Sequence, residues 1–573
     1  MELLDARRLT GPNLILNRAG TVLDVRCTAE QARTLLPLWE AQVRVMLANL
    51  NWPSETVAHK SRLSGISLAL SAPIDALYTA TEINEWCYAR CAIALGIPYL
   101  PVAGDSVVLD FDEQLENIHQ ALALEASPGL SQLASGAREN HVSMLWDDDE
   151  VSLGLGKHAR VWPVDDLPDP QSIPWTMCGD IPVAVVTGTN GKTTTVRLVS
   201  HIVQGAGFIT GFSSTDGIVL NEKNVDSGDW SGPGGARMLL RQPRLDVAIL
   251  EAARGGLLRR GLGIDHANVA LITNISKDHL GDFGSENLQE LLAIKWVVAQ
   301  AVEHNGVLIL NADDPLLTAK ASEFNGTIVW FSLSADNPLV HKHTNDGGVA
   351  YVYDQVNLVR VQASGNDIIC AVEMIPLTLG GKATHNVANA LAAVAMASQL
   401  GVADTAISKG LQSMSFKHNP GRLNLYTIKG VTVVVDYAHN PAGMQAMAQF
   451  TQALNATRTL VAFSQPGDRP DSLIRELTQA AWKIKPDKVI VSELAQYHRG
   501  RNHGEVFAVI QDELLRCGAQ ESQVQHFDEE CDALQFALEW AKPGDLVVML
   551  ALADSQLIQQ KLALLSALPV TSK

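Results

Sequence analysis

At 573 residues the chain is too long for one hydrophobic core and should divide into three or four domains. Hydrophobic residues make up 47% and aromatics 5%, with a mean hydropathy of +0.07, which suits a core-forming α/β protein and excludes extensive disorder. Lys plus Arg number 43 against 62 Asp plus Glu, a formal charge of −19, so nucleic acid and anionic membrane surfaces are poor partners.

From the N-terminus, residues 1 to about 145 mix helical patterns, at 29–50 and 81–95, with short strands, and carry no nucleotide-binding signal. The opening Met-Glu-Leu-Leu-Asp-Ala-Arg-Arg lacks an apolar signal core, and no apolar run approaches bilayer length, so the expected compartment is the cytoplasm. Cys87 and Cys91 are four apart on a helical pattern, but no further Cys or His pair completes a metal set; the seven scattered cysteines read as buried free thiols. Glu82 and Glu85 fall within a helical pattern as either a solvated face or an anchoring site. An acidic, Pro-rich stretch at 146–174 reads as a connector, running to about residue 179.

The most informative segment comes next. The apolar run 182–186 breaks into Thr187-Gly-Thr-Asn-Gly-Lys-Thr-Thr-Thr195, a glycine-containing loop entering a helix, which is how backbone N–H groups and a helix N-terminus are gathered around phosphate. Gly188 and Gly191 let the backbone approach phosphate oxygens, Lys192 would set its ammonium against them, and Thr193 would offer a hydroxyl to magnesium. The general Gly-x4-Gly-Lys-Thr spacing is only partly met, because Val186 stands five before Gly191.

Beyond the connector, apolar β-branched runs at 183–186, 247–250, 269–275 and 307–310 alternate with helical patterns, which argues for a mostly parallel sheet covered on both faces. Ligands of such sheets meet the carboxyl ends of strands. Glu251 stands at one such end, as a magnesium ligand or a partner of Arg254; Asn274, Asp278 and His279 follow another. Lys295 falls within the apolar stripe of a helix expected over 287–302, where a buried ammonium is costly; it snorkels outward or is carbamylated to an anionic metal ligand. Near Pro420-Gly-Arg422 the pattern restarts. Strands at 431–435, 459–463, 488–491 and 545–550, with helices at 442–454, 504–515 and 528–540, read as a second, smaller doubly wound sheet.

Eight segments recur in one order: Gly188-Thr-Asn-Gly-Lys-Thr-Thr194, Leu250-Glu-Ala-Ala-Arg-Gly-Gly256, Ile272-Thr-Asn-Ile-Ser-Lys-Asp-His-Leu280, Asn311-Ala-Asp-Asp-Pro315, His385-Asn-Val-Ala-Asn-Ala390, Pro420-Gly-Arg-Leu-Asn424, Asp436-Tyr-Ala-His-Asn-Pro441 and Gly467-Asp-Arg469. With them the chain from about Asp180 onward resembles the Mur ligase superfamily, and within it the C-terminal half of cyanophycin synthetases; Arg7-Arg-Leu-Thr-Gly-Pro-Asn13 resembles the beginning of those enzymes. The resemblance implies an α+β N-terminal domain over 1–165, a P-loop central domain of Mur ligase type with a parallel sheet over 180–417, and a Rossmann-like C-terminal domain over 418–573.

It further implies that ATP phosphorylates a carboxylate and that an amine attacks the acyl phosphate. Gly188, Thr189, Asn190, Gly191, Lys192, Thr193, Thr194 and Asn274 would hold the triphosphate; Thr193, Glu251, His279 and a carbamylated Lys295 would hold magnesium. Asn386 and Asn389 match the adenine-side motif, and Arg422 and Asp436 reach phosphate and ribose. Arg254, His439, Asp468, Arg469, Tyr497, His498, Arg499 and Arg501 would meet the carboxylate acceptor or the amine, and homo-oligomers are expected. Cyanophycin synthetases carry an ATP-grasp domain where this chain has only its connector, which implies one ligation site. Where those enzymes place an acidic cluster before Arg499-Gly-Arg501, this chain reads Ser492-Glu-Leu-Ala-Gln-Tyr-His498, which implies another amine than arginine. Two other readings stay open: a Mur-like nucleotide-binding regulator without turnover, and a peptidoglycan or folate ligase.

Overall fold

A computed structural model describes residues 1–97, 108–278 and 287–567. The N-terminal region opens with β1 (Glu2–Leu9), β2 (Gly20–Arg26), α1 (Ala29–Asn49), β3 (Val57–Arg62), β4 (Gly65–Ser71) and α2 (Leu77–Ala94). Its strands form an antiparallel sheet in the order β1-β2-β4-β3. α1 starts where Thr28 and Gln31 make a reciprocal capping box, and its buried Trp39 donates from Nε1 to Asn84 Oδ1 on α2 at 2.9 Å. Asn84 in turn donates to Leu68 O in β4, so one buried amide ties both helices to the sheet. Glu82 is exposed and Glu85 half-buried on α2; desolvation raises both carboxyl pKa values, with Glu125 adding to the first and Glu82 to the second.

α3 (Phe111–Glu125) and α4 (Pro128–Glu139) follow, and then the stretch expected to be a connector departs from that reading. It holds β5 (Met144–Trp146), β6 (Glu150–Leu153) and β7 (Arg160–Pro163), an antiparallel sheet packed with Leu130, Leu133 and Ala137 of α4. Val151 and Leu153 are fully buried there, and that alternating apolar pair is what the acidic, Pro-rich composition concealed.

The central region contains β8 (Val183–Thr187), α5 (Lys192–Gly205), β9 (Thr210–Ser214), β10 (Gly217–Leu220), β11 (Lys223–Ser227), α6 (Pro233–Leu240), β12 (Val247–Glu251), α7 (Arg254–Arg259), β13 (Ala267–Ile272), α8 (Leu288–Lys295), α9 (Val297–Gln300) and β14 (Val302–Asn311). It continues through α10 (Pro315–Lys320), β15 (Thr327–Ser332), α11 (Pro338–Asn345), β16 (Val349–Tyr353), β17 (Asn357–Gln362), β18 (Gly365–Ala371), α12 (Thr384–Gln399) and α13 (Asp404–Ser413). The eleven strands form one sheet, β11-β10-β9-β12-β8-β13-β14-β15-β16-β17-β18, parallel from β9 to β16 and antiparallel at both edges. Successive residues of one strand supply opposite faces: Val183 and Val185 join the core under α6 and α8, while Ala184 and Val186 join that under α5 and α12.

Two boundaries differ from the sequence reading. The strand expected over 269–275 ends at Ile272, because Thr189 N donates to Asn274 O and Ile275 N to Asp314 Oδ2. The helix expected over 287–302 is broken at Trp296, and Val302 already pairs with Ala267 in the sheet.

The C-terminal region has β19 (Asn424–Ile428), β20 (Val431–Asp436), α14 (Pro441–Gln452), β21 (Thr459–Phe463), α15 (Asp471–Trp482), β22 (Lys488–Ser492), α16 (Glu505–Arg516), β23 (Val524–Phe527), α17 (Glu530–Trp540), β24 (Leu546–Leu550) and α18 (Ser555–Ala567). Its sheet runs β19-β20-β24-β21-β22-β23, parallel except for the β19–β20 pair, with helices on both faces. The N-terminal region rests on the central one: Thr10 N donates to Arg260 O and Arg7 Nε to Leu258 O. No disulfide forms among the seven cysteines, and among the described residues no helix is long and apolar enough to cross a membrane.

Candidate active site

The carboxyl ends of β8, β12, β13 and β20 converge on a cavity of about 1570 Å³ between the central and C-terminal sheets. Its floor is the loop between β8 and α5. Gly191 sits at φ 85°, and a Cβ there would lie 2.2 Å from Asn389 Oδ1; at Gly188 a Cβ would lie 1.9 Å from Thr273 Oγ1. The two glycines therefore admit neighbouring side chains against the loop as well as leaving its backbone open to a ligand. Asn274 holds the same loop in both directions, with Oδ1 accepting from Asn190 N and Nδ2 donating to Asn190 O, each at 3.0 Å.

Lys192 Nζ donates to Thr189 O at 3.0 Å. One residue on, Thr193 Oγ1 donates to Glu251 Oε2 at 2.8 Å. Glu251 is 3% exposed, and its second oxygen, Oε1, is buried without a hydrogen-bond partner. Burial pushes its carboxyl pKa up, against the pull of Lys192 and the Thr193 hydroxyl. A buried carboxylate oxygen lacking a donor, beside a threonine hydroxyl, has the hard-oxygen chemistry that a divalent cation takes, so these residues fit a metal. His279, the further ligand expected from sequence, lies outside the described residues.

Lys295 settles one alternative left open by its periodicity. Its side chain does not snorkel; it is 3% exposed and donates from Nζ to Gly188 O at 2.6 Å. Desolvation, reinforced by Lys192 and opposed by Asp278 and Glu251, holds its pKa well below the usual lysine range.

The other nucleotide-side residues divide between the floor and the C-terminal wall. Asn389 donates to Asn386 Oδ1 and Asn386 to Leu377 O, which packs both amides under Gly191. Asp436 lines the cavity while its oxygens accept from Leu423 N and Ala438 N, and Arg422 lies over the Tyr437 ring at 4.4 Å. Arg254 lines the cavity at the start of α7, close enough to act on Lys295, and toward the far end His439, Asp468, Arg469, Tyr497 and Arg499 line it, with Arg499 paired to Asp468. His439 Nε2 stands 3.7 Å from Asp278 Oδ2. His498 and Arg501 are not among the lining residues. Arg501 instead braces the wall through Gly467 O, Arg469 O and Asp471, and His498 faces Glu493.

Sequence reasoning missed the residues that join the two sheets. Asn440 and Asn190 exchange side-chain amide hydrogen bonds at 3.2 and 2.9 Å, and Asn440 also caps α14. Arg197 on α5 donates to Asn419 Oδ1, Pro420 O and Asp216 Oδ2, anchoring the segment that leads into the C-terminal sheet. Desolvation lowers its pKa to about 10, the Asp216 carboxylate opposing. His385, whose role sequence reasoning left unassigned, is half-buried at the cavity with its Nδ1 buried and unpartnered and its pKa lowered by desolvation.

Two protein-family models match this arrangement: the Mur ligase middle domain over residues 186–397 and the Mur ligase glutamate ligase domain over residues 421–551. The chain belongs to the Mur ligase superfamily of ATP-dependent ligases. Within the superfamily it is 34% identical over 469 residues to a cyanophycin synthetase of Crocosphaera subtropica, covering 81% of this chain and 51% of that protein. A cyanophycin synthetase of a Synechocystis species is 35% identical over 480 residues, covering 83% and 52%. The chain thus spans about half the length of these relatives. A solved structure of a bifunctional folylpolyglutamate synthase/dihydrofolate synthase with Mn, AMPPNP and L-glutamate bound shares the fold of this chain. It aligns with a TM-score of 0.50 and 18% identity, over 67% of this chain and 89% of that one.

Proposed function

We propose that this Mur ligase activates a carboxylate as an acyl phosphate and condenses it with an amine, at one ligation site. The observation that carries the reading is the buried set Lys192, Thr193, Glu251 and Lys295 at the floor of a cavity whose far wall belongs to another sheet. The order of events follows from that layout. Loop N–H groups and Lys192 would orient and neutralise the phosphates of ATP, and a carboxylate oxygen of the acceptor would attack the γ-phosphorus as ADP leaves. The amine, entering from the C-terminal side, would attack the acyl carbon, lose a proton and expel inorganic phosphate.

Thr193 and Glu251, with His279, would hold magnesium, which when bound offsets phosphate charge. The Lys295 amine, its pKa depressed by burial, would in its unprotonated form add carbon dioxide, forming an N–C bond and releasing a proton, to give a carbamate at the same wall. The acceptor is a small molecule or a short peptide carrying a carboxylate, and the amine an amino acid or a related amine. Arg499, Tyr497 and Arg469 at the far end would select it, and their mix of cations and one phenol matches a substrate bearing its own carboxylate.

Phosphate release from ATP by the full chain, against paired amino acids and acidic dipeptides, tests the reading, with Lys192→Ala as control. Release stimulated by one pair only, with the condensed product seen by mass spectrometry, is the expected result. Tight ATP binding that no pair converts to release would favour a nucleotide-dependent regulator instead.

A further inference from the structure

Behind the loop that presents Tyr497 and Arg499 to the cavity lies a second cluster with no part in the ligation chemistry. Glu493 directly follows β22 and is 6% exposed; its N donates to Phe527 O, which sets it beside His526 on β23. Ligand atoms of Glu493, His503 and His526 lie within 4.8 Å of one another. His526 Nε2 meets Glu493 Oε1 at 2.8 Å, and its ring is held by stacking on Phe507 with centroids 4.1 Å apart. Gly504 N donates to the same carboxylate oxygen at 3.1 Å. His503 Nε2 meets Asp528 Oδ1 at 2.8 Å, the carboxylate–imidazole pairing that orients metal-ligating histidines.

His498 supplies the second, independent observation. Its Nε2 is buried and makes no hydrogen bond, although Glu493 Oε2 is 3.3 Å away. The hydrogen bonds of His526 and Gly504 both fall on Glu493 Oε1, so Oε2 and the facing His498 nitrogen are left for an ion to join. Three imidazoles and one carboxylate suit a borderline transition metal, whereas magnesium and calcium prefer oxygen throughout. Tetrahedral zinc, with bonds of about 2.0–2.1 Å, keeps its ligand atoms roughly 3.3 Å apart, so small side-chain shifts would close the set.

We propose that Glu493, His503 and His526, with His498 as fourth donor, form a zinc-type site that staples the segment 493–504 to β23. Three of the four donors and the cavity-lining Tyr497 and Arg499 share that segment, so the ion would hold the amine wall of the cavity from behind.

The test uses the full chain, stripped with a chelator, reloaded with zinc chloride and desalted, with metal per chain measured by mass spectrometry and Co²⁺ as the spectroscopic probe. About one zinc per chain is expected, with cobalt bands of tetrahedral nitrogen and oxygen ligation. His526→Ala should weaken binding by at least the roughly 10–100-fold that even outer-sphere partners contribute. The exposed His503→Ala, which risks no folding defect, should do the same. Glu251→Gln and His418→Ala, which alter the nucleotide end and the separate His201, Glu222 and His418 cluster, should leave zinc in place. Retention below roughly a tenth of an ion per chain would overturn the proposal. So would undiminished zinc in both the His503 and His526 variants, or its loss in either control.

Discussion

The two ends of the cavity are built on opposite plans. At the phosphate end every functional group is locked: Glu251 and Lys295 are each 3% exposed, Thr193 is bonded to Glu251, and Asn274 grips the loop from both sides. At the amine end Arg469 is buried beside Asp468, but Asp468 and Arg499, paired to each other, are 25% and 46% exposed. Preorganised, water-excluded groups stabilise developing charge without reorganising, which the invariant step of phosphoryl transfer requires. Loosely held side chains on a loop can exchange one amine for another while the chemistry stays the same. One fold can thus keep one reaction and vary its substrate.

That contrast makes separable predictions. Lys192→Ala should lower turnover by about 10²–10³-fold with every amine tested, as loss of a charge-stabilising donor does, measured by phosphate release. A loss confined to one amine would place Lys192 at the wrong end. Lys295→Met sharpens the claim of a buried amine with a depressed pKa. A base with a depressed folded pKa leaves the folded form short of a proton that the unfolded chain holds, so the stability of the wild type should climb as pH rises from 7 toward the unfolded value near 10.4. Lys295→Met should lack that rise, as read by denaturant unfolding at about pH 7 and about pH 9.5. Identical slopes would mean that Lys295 is charged in the folded protein.

At the other end, Arg499→Ala should raise KM for the amine about tenfold and leave kcat and ATP affinity nearly unchanged, since the residue acts in binding and not in phosphoryl transfer. A fall in kcat of the same size would erase the distinction between the ends. The smallest effect concerns the junction between the sheets. Asn440→Ala removes the amide exchange with Asn190 and a helix cap together, and should cost about 1–2 kcal/mol in thermal unfolding while ATP still binds.

What the sequence made legible follows the same division. The run from β8 through Gly191 to α5 is continuous, so turn residues, apolar strand and helix start all sit within one readable window. Glu251 was visible because a carboxylate ends an apolar strand. The junction was not visible. Asn190 and Asn440 are 250 positions apart and Arg197 and Asn419 are 222 apart, and no local periodicity marks an asparagine as the partner of another. Lys295 shows the limit from the other side: periodicity put it in an apolar stripe, but only the packed strands around it decided between a buried amine and one reaching solvent. The sheet of β5, β6 and β7 was hidden because strands of three and four residues are shorter than any pattern that alternation can establish.

The central claim is that a carboxylate is activated by phosphorylation on the floor formed by Lys192, Thr193, Glu251 and Lys295. Its most direct test is ¹⁸O transfer: the acceptor selected by the phosphate-release panel, labelled in its carboxylate, is turned over with ATP and the inorganic phosphate analysed by mass spectrometry. The account predicts one ¹⁸O in each phosphate released, at a rate that collapses in Lys192→Ala. Amide product accompanied by unlabelled phosphate would contradict it.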